Sequence, residues 1–383
     1  MRVLCSTTPM EGVFAPVVPL LEALVSRGHE VLVATAPQLI PRVRSAGMAA
    51  VPAGPNAPDA AAMAATLPEF HEGAQPWRIG AVMFSRVMAP QKLPELRTVA
   101  DEYRPDVILH APVDLAAPLV AAVLGVPSVT YGTGLVLEDE LIAAMAQWVA
   151  PLWESVGVAP DEHAGLYRYG YVDPVPPSLQ PDRGLACEIA LPVRPVVPGA
   201  VTDSLPRWVE DLTGRPVVYV SLGTVPIFNQ PAAFGPLIAG IADSDLDVLV
   251  TVGTDTDPAA LGAQPANVHV ERWLSLAAVL PHCDAVLCHG GAGTTLAALS
   301  HGLPLVLSPR GADQFAMSRA CLGAGTATVL SPDEVTPEAV RTAVHTVLQQ
   351  DSHRDAARRL ESEISAMPTA DAAAERLRER VDR

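Results

Sequence analysis

The sequence predicts an α/β protein of two Rossmann-like domains, each built on a mainly parallel sheet. Short apolar runs of strand length alternate with stretches of helix length from residue 3 onward, the pattern of consecutive βαβ units. Several of the helical stretches stop at a glycine, as at Gly28, Gly125 and Gly302, before the next apolar run begins. The alternation breaks once, in a proline-rich stretch from Asp173 to Pro206 that reads as an extended connector, and it restarts at Val217. A length of 383 residues suggests two or three domains.

Residues 1–35 read as one βαβ unit: strand Val3 to Ser6, a turn through Gly12, helix Val17 to Arg27, strand Val31 to Thr35. Pro16 suits the first helical turn. The loop after the first strand lacks G-x-G-x-x-G, which argues against a dinucleotide-dependent dehydrogenase. Val51 to Pro76, rich in proline and alanine with little periodicity, reads as a long loop. Helices are expected at Trp77 to Met88, Leu93 to Tyr103, Leu115 to Leu124 and Leu141 to Val156, with strands at Asp106 to His110 and Ser128 to Tyr131. Met83, Phe84, Met88, Met145, Trp148 and Trp153 recur at helical spacing, so most belong to the core, with Trp148 and Trp153 as the candidates to line an apolar pocket.

In the second half, Val217 to Ser221 opens a new sheet and Leu222-Gly223-Thr224 is its first loop. A helix at Ala232 to Ala242 and strands at Asp247 to Val252 and Val268 to Val270 follow, and then Trp273-Leu274-Ser275. The strand Ala285 to Cys288 runs into His289-Gly290-Gly291-Ala292-Gly293-Thr294-Thr295, which opens a small-residue helix ending before Gly302. Glycines let the main chain approach an anion closely, and the free N–H groups and dipole of a first helical turn favour a phosphate. Leu303 to Ser308 reads as the next strand, so Pro309-Arg310-Gly311-Ala312-Asp313-Gln314 emerges at the same carboxyl edge, where open α/β sheets bind ligands. Asp313 accepts hydrogen bonds and Gln314 both accepts and donates, a pairing suited to sugar hydroxyls; the competing role for Asp313 is to cap the helix that follows. Ser331-Pro332-Asp333-Glu334 and Thr336-Pro337-Glu338 mark further helix starts.

The segment Trp273 to Gly325, with W-L-S-L, H-G-G-A-G-T, G-L-P and A-D-Q, resembles the nucleotide-diphosphate-sugar signature of GT-B glycosyltransferases of the family-one type. Within these it is most similar to the bacterial enzymes that glycosylate antibiotics and other secondary metabolites. The resemblance implies that Trp273, Leu274 and Ser275 meet the nucleobase and that His289 with Gly290, Gly291, Ala292, Gly293 and Thr294 holds the diphosphate. It further implies that Asp313 and Gln314 meet the donor sugar, and that Gly223 and Thr224 approach both. The first loop, Gly12 to Pro16, resembles the acceptor-side loop of the same enzymes, which makes Gly12, Val13 and Phe14 acceptor-side candidates beside Trp148. The domains implied are 1–195 for the acceptor, 196–210 as linker, 211–365 for the nucleotide sugar, and a C-terminal helix over 366–383 that packs back toward the first domain, with a cleft between the two domains.

One departure bears on mechanism. Many members carry, after the glycine of the first loop, a histidine that takes the acceptor's proton, and an aspartate that orients it; here those positions are Val13 and Ala111. Asp114, just beyond the strand Asp106 to His110, is the leading alternative base, although it also suits the cap of the next helix. His110, His71, Glu11 and Glu72 are lesser candidates. Alternatively the acceptor needs little help, as with an acidic phenol or an electron-rich aromatic carbon, or the chain is a silent partner of another transferase.

Composition narrows the remaining classes. A formal charge of −17 leaves no basic excess for a nucleic-acid backbone. Cys5, Cys187, Cys283, Cys288 and Cys321 form no CxxC pair and read as reduced thiols, and the ten histidines show no HExxH or similar spacing, so no metal site is expected. The start lacks a basic region followed by a long apolar segment, and no apolar run is long enough to span a bilayer, so a soluble cytoplasmic protein without a membrane partner is expected. The expected enzyme is an inverting transferase that moves a sugar from a TDP- or UDP-sugar co-substrate, with no other cofactor, to a hydrophobic aglycone. A TDP-deoxysugar leads among donors, a GT-B nucleotide-sugar epimerase is the rival enzyme, and a homodimer is the candidate assembly.

Overall fold

Parallel strands need a crossover of a dozen or more residues between them, and the spacing of the apolar runs supplies it. The computed structural model describes residues 1–69, 76–180, 189–197, 199, 203–209, 212, 214–225, 228–254 and 256–382. It divides into two units, Met1–Pro174 with Asp182–Arg194 and Pro368–Arg383, and Val175–Pro181 with Pro195–Met367.

The first unit holds strands β1 (Arg2–Ser6), β2 (Glu30–Thr35), β3 (Ala49–Pro52), β4 (Val107–His110), β5 (Ser128–Tyr131), β6 (Tyr171–Asp173) and β7 (Ala190–Pro192). They form one sheet in the order β3-β2-β1-β4-β5-β6-β7, and the pairings are parallel throughout. Its main helices are α1 (Val18–Ser26), α2 (Ala89–Tyr103), α3 (Ala116–Leu124) and α4 (Asp139–Ser155). Gly28 and Gly125 take φ of +81° and +68° after α1 and α3, the left-handed turn that glycine adopts without strain. One face of the sheet packs under α2, α3 and α4 through Leu96, Leu119, Met145 and Trp153. The other packs under α1 and the C-terminal helix Ala370–Val381 through Leu21, Leu24, Ala374 and Leu377.

Three expectations for this unit are corrected. The loop expected from Val51 to Pro76 contains a helix, Ala57–Ala64, with Pro58 in its first turn. Its Ala60 and Ala64, one turn apart, bury against Val87 and Met88. The helix expected to end at Met88 runs on into α2, and its Met83–Met88 stretch is wound as a π-helix. Pro90 and Pro94 lack the N–H groups that regular winding would use there. Part of the proline-rich connector is strand: β7 pairs with β6, and Pro192 ends it at the sheet's edge, where a missing donor is tolerated.

The second unit holds β8 (Val217–Ser221), β9 (Asp247–Thr251), β10 (Val268–Glu271), β11 (Ala285–Cys288), β12 (Leu305–Leu307) and β13 (Ala327–Val329), in the order β10-β9-β8-β11-β12-β13 and again parallel. Its main helices are α5 (Pro231–Ile241), α6 (Ala292–Leu299), α7 (Gln314–Gly323), α8 (Pro337–Gln349) and α9 (Asp351–Ala366). Ser331 and Glu334 form a reciprocal capping box, and the Thr336 side chain accepts from Ala339 N to start α8. Ser178, within the proline-rich stretch, donates from its main chain to Glu363 of α9 at 2.9 Å. Among the described residues no helix is long and apolar enough to cross a membrane.

The C-terminal helix packs on α1 with Leu377 fully buried. Leu377→Ala is expected to lower the unfolding free energy of the first unit by about 3 kcal/mol in urea titrations, through lost burial and the cavity left behind.

Candidate functional site

The order of the second sheet reverses between β8 and β11, and the ladder pairs Ser221 with Cys288, so the loops leaving these strands are neighbours. A crevice at such a reversal is where open α/β sheets take ligands. His289 follows β11 and is wedged between two glycines. Gly223 takes φ +80°, and a Cβ there would stand 2.6 Å from His289 Cε1 and Nε2. A Cβ on Gly291, on the other side, would run into His289 Nε2. Only 9% of His289 is exposed and its Nδ1 has no hydrogen-bond partner. Burial pulls its pKa down to about 4, opposed by a main-chain hydrogen bond at Ser221 and reinforced by the charge of Arg310. The imidazole is therefore neutral at pH 7.

Gly291 is the N-cap of α6, where it offers no side-chain cap. The first i→i−4 bond of the helix is Thr295 N to Gly291 O at 3.0 Å, so the N–H groups of Ala292, Gly293 and Thr294 have no partner within the helix. A Cβ on Gly293 would meet nothing within 4 Å, and Thr294 is half-exposed, so this first turn is open to an approaching group. Gly290, at φ +80°, lets α6 lie against α7: a Cβ there would be 2.8 Å from Ser318 Oγ.

The loop from β12 to α7 completes this edge. Gln314 is buried, and its Oε1 accepts from Arg310 N at 2.8 Å and Gly311 N at 3.2 Å, so half of its amide is spent on shaping the loop. A Cβ on Gly311 would stand 2.7 Å from the Phe228 ring, which leans across from the loop after β8. Ala312 is held at φ +54°, a left-handed conformation that costs a residue with a Cβ on the order of 1 kcal/mol. Asp313 is exposed and stands at the N-cap of α7, but its side chain makes no capping hydrogen bond. Trp273, after β10, is 51% exposed, which sets aside a core-filling role. Leu274 and Ser275 are buried beside it, so of the three only Trp273 offers a large side chain to solvent. Thr224 is exposed.

Sequence reasoning missed Asn229 and Arg310 here. Asn229 is buried and its Nδ2 donates to Val252 O, tying the loops after β8 and β9 together. Its place just before the helix-opening Gln230-Pro231 was the only local signal.

The carboxyl edge of the first sheet is organised differently. Its order reverses between β1 and β4, and Lys92, the only lysine of the chain, reaches the strand ends from α2. Its Nζ donates to Asp114 Oδ2 at 2.6 Å and to the carbonyl oxygens of Thr7 at 2.7 Å and Ala34 at 3.5 Å. Ser6 Oγ donates to the same Asp114 oxygen at 2.7 Å, and Tyr131 donates to Thr7 Oγ1 at 2.8 Å. Gly54, at φ +95°, packs on the lysine stem, with a Cβ there only 3.2 Å from it.

Asp114 is thus the inner half of a buried ion pair, 2% exposed, and not a carboxylate at the surface of a loop. Leu115, not Asp114, is the N-cap of α3. Its Oδ2 is occupied by the Lys92 ammonium and the Ser6 hydroxyl inside the core, so the geometry opposes the proton-accepting role. His110 is fully buried; its Nδ1 donates to Ala111 O at 3.0 Å, its Nε2 lies 3.4 Å from Thr130 Oγ1, and burial lowers its pKa. Glu11 pairs with Arg42 at 2.9 Å. His71 and Glu72 lie outside the described residues.

The acceptor-side candidates divide. Gly12 is exposed and Val13 half-buried in the short helix Glu11–Phe14. Phe14 is fully buried in the core under α1, which corrects its assignment to the acceptor side: its ring has no open face. Trp148 is half-buried on α4, with the Arg78 guanidinium 5.6 Å from its ring centroid, whereas Trp153 and Met145 are core.

Two measurements check these geometries. Lys92→Met leaves the Asp114 charge buried and unpaired, so it is expected to cost about 3–5 kcal/mol in denaturant titrations, while the double variant Lys92→Met/Asp114→Leu recovers most of that loss. For His289, the folded pKa of about 4 lies below the ordinary 6.5, so its neutral form contributes stability above pH 6.5 that is lost as pH falls through 4. Wild type is expected to lose on the order of 3 kcal/mol more than His289→Asn across that interval.

Models of the erythromycin biosynthesis protein CIII-like family match twice, the N-terminal domain over residues 22–223 and the C-terminal domain over 236–380. The elloramycin glycosyltransferase ElmGT of Streptomyces olivaceus is 34% identical, over 98% of this chain and 96% of its own. The TDP-daunosamine transferase DnrS of Streptomyces peucetius is 30% identical, over 96% and 94%. The crystal structure of the spinosyn rhamnosyltransferase SpnG complexed with thymidine diphosphate superposes with a TM-score of 0.82 at 26% identity, covering 99% of this chain and 100% of that one. The chain, matched by both domain models and by relatives aligned over nearly its full length, belongs to the erythromycin biosynthesis protein CIII-like family and is a glycosyltransferase.

Proposed function

We propose that this glycosyltransferase moves a sugar, with inversion, from a thymidine-diphosphate donor to a hydrophobic aglycone in antibiotic biosynthesis. The observation that carries this reading is the set of loops at the β8/β11 reversal. An open helix N-terminus, a neutral buried histidine with a free Nδ1 and an exposed tryptophan all belong to the carboxyl edge of one sheet. In this reading Trp273 stacks on the base, and Gly290 to Thr294 with His289 receive the diphosphate. Asp313, exposed and free of a capping bond, and the unspent half of the Gln314 amide receive sugar hydroxyls. Thymine is favoured over uracil because TDP and a TDP-sugar stand in the names of relatives aligned over nearly the whole chain.

Inversion requires the acceptor atom to attack the anomeric carbon from the side opposite the diphosphate. The C–O bond to the diphosphate breaks with its electron pair going to the departing oxygen. Hydrogen-bond donors already aimed at that oxygen stabilise the growing charge without reorganising. The acceptor's proton is the less demanding part in this reading. With Asp114 and His110 buried in internal contacts and Glu11 paired, the acceptor class that fits best is a phenol or an electron-rich aromatic carbon, which needs little assistance to react.

The test is mass spectrometry of reactions containing TDP- or UDP-sugars and phenolic, polyketide or macrolide acceptors. Transfer from the TDP donor is expected. Trp273→Ala is expected to raise the donor KM about tenfold through lost stacking, and His289→Ala to lower kcat by about 100-fold. Three results would overturn the reading: a sugar altered without any acceptor, activity only in the presence of a second transferase, or TDP binding without transfer to any acceptor class.

A further inference from the structure

Arg310 has no role in the assignments above. Its main-chain N–H is held by Gln314, and its guanidinium is half-buried, with Nη2 donating to Ala233 O at 3.3 Å while Nε is buried and donates to nothing. Among the described residues no carboxylate pairs with it, although the chain carries 42 acidic residues against 25 basic ones. A guanidinium withdrawn from water without a carboxylate is costly, so an anion that completes its donors offsets the expense.

The topology says where that anion would sit. Arg310 leaves the carboxyl end of β12, and its contact, Ala233, lies in the first turn of α5, which follows β8. In the sheet order β11 stands between β8 and β12, and His289 follows β11. The Arg310 side chain therefore spans the carboxyl end of β11, beside His289, and its charge helps to keep that imidazole neutral. The same strand end carries the open first turn of α6 and the unpartnered His289 Nδ1.

We propose that Arg310 is the fixed cation for the donor's diphosphate, contacting its oxygens and stabilising the charge that grows on them as the sugar leaves. This rests on the reading that the β8/β11 crevice takes a nucleoside diphosphate sugar. The planar guanidinium presents its donors in a fork that matches phosphate oxygens. With His289 neutral, the full positive charge at this strand end comes from Arg310.

Calorimetric titration of the full chain with TDP, and NMR titration with thymidine, separate the two readings. Arg310→Met is expected to weaken TDP about 30-fold, as for a lost charge-assisted contact, while thymidine binding stays within about twofold. Arg310→Lys is expected to fall between wild type and Arg310→Met, and wild-type affinity for TDP to drop with added salt more steeply than that of Arg310→Met. If wild type fails to bind TDP, the site reading itself is wrong. Equal TDP affinity in wild type and Arg310→Met would sink the role of Arg310 alone, as would a parallel loss of thymidine and TDP. Should Arg310→Met not fold, Arg310→Gln keeps a donor for Ala233 O, removes the charge and is read by the same criteria.

Discussion

A parallel sheet with helices on both faces has no polar side to spare, and that constraint orders this molecule. Every residue of β4, β8, β9 and β11 is buried, so their side chains are committed to packing. Many of the buried polar side chains stand near strand ends. Ser6, Thr35, His110, Thr130, Ser221 and Thr251 stand at or beside the carboxyl ends of their strands, and His289 and Ser308 just beyond. Because right-handed crossovers deliver every strand-to-helix loop to that edge, residues far apart in the chain converge there.

The two edges differ in which charged groups they carry. In the first unit Lys92 and Asp114 pair with each other, with Ser6 on the same Asp114 oxygen and two main-chain carbonyls on the ammonium, while Asp114 Oδ1 is buried without a partner. Such a pair contributes little net stability but makes the edge depend on both partners. In the second unit the polar groups at the edge do not pair with one another. His289 Nδ1, Arg310 Nε and the first turn of α6 lack internal partners, and glycines at 223, 290 and 291 keep the main chain close around them.

Loop-to-loop contacts shape the carboxyl edge of the second sheet. Gln314 folds back on its own loop, Phe228 covers Gly311, and Asn229 pins the loops after β8 and β9 together. The strained Ala312 persists because these contacts over-determine the turn around it.

What the sequence by itself determined is local: the alternation of strand and helix, the strand–glycine–helix unit at His289 to Thr295, and the apolar residues at Val13 and Ala111. These are legible because periodicity and glycine positions act over a few residues. Tertiary structure alone decided which side chains face which partners. Phe14 turned into the core although its neighbours Gly12 and Val13 reach the surface, and Asp114 met a lysine from a helix 22 residues earlier in the chain. Lys92 also bonds Thr7, 85 residues before it, and Arg310 meets Ala233, 77 residues before it. Sheet order sets those meetings, and sheet order is a property of long-range burial that no short window of sequence contains.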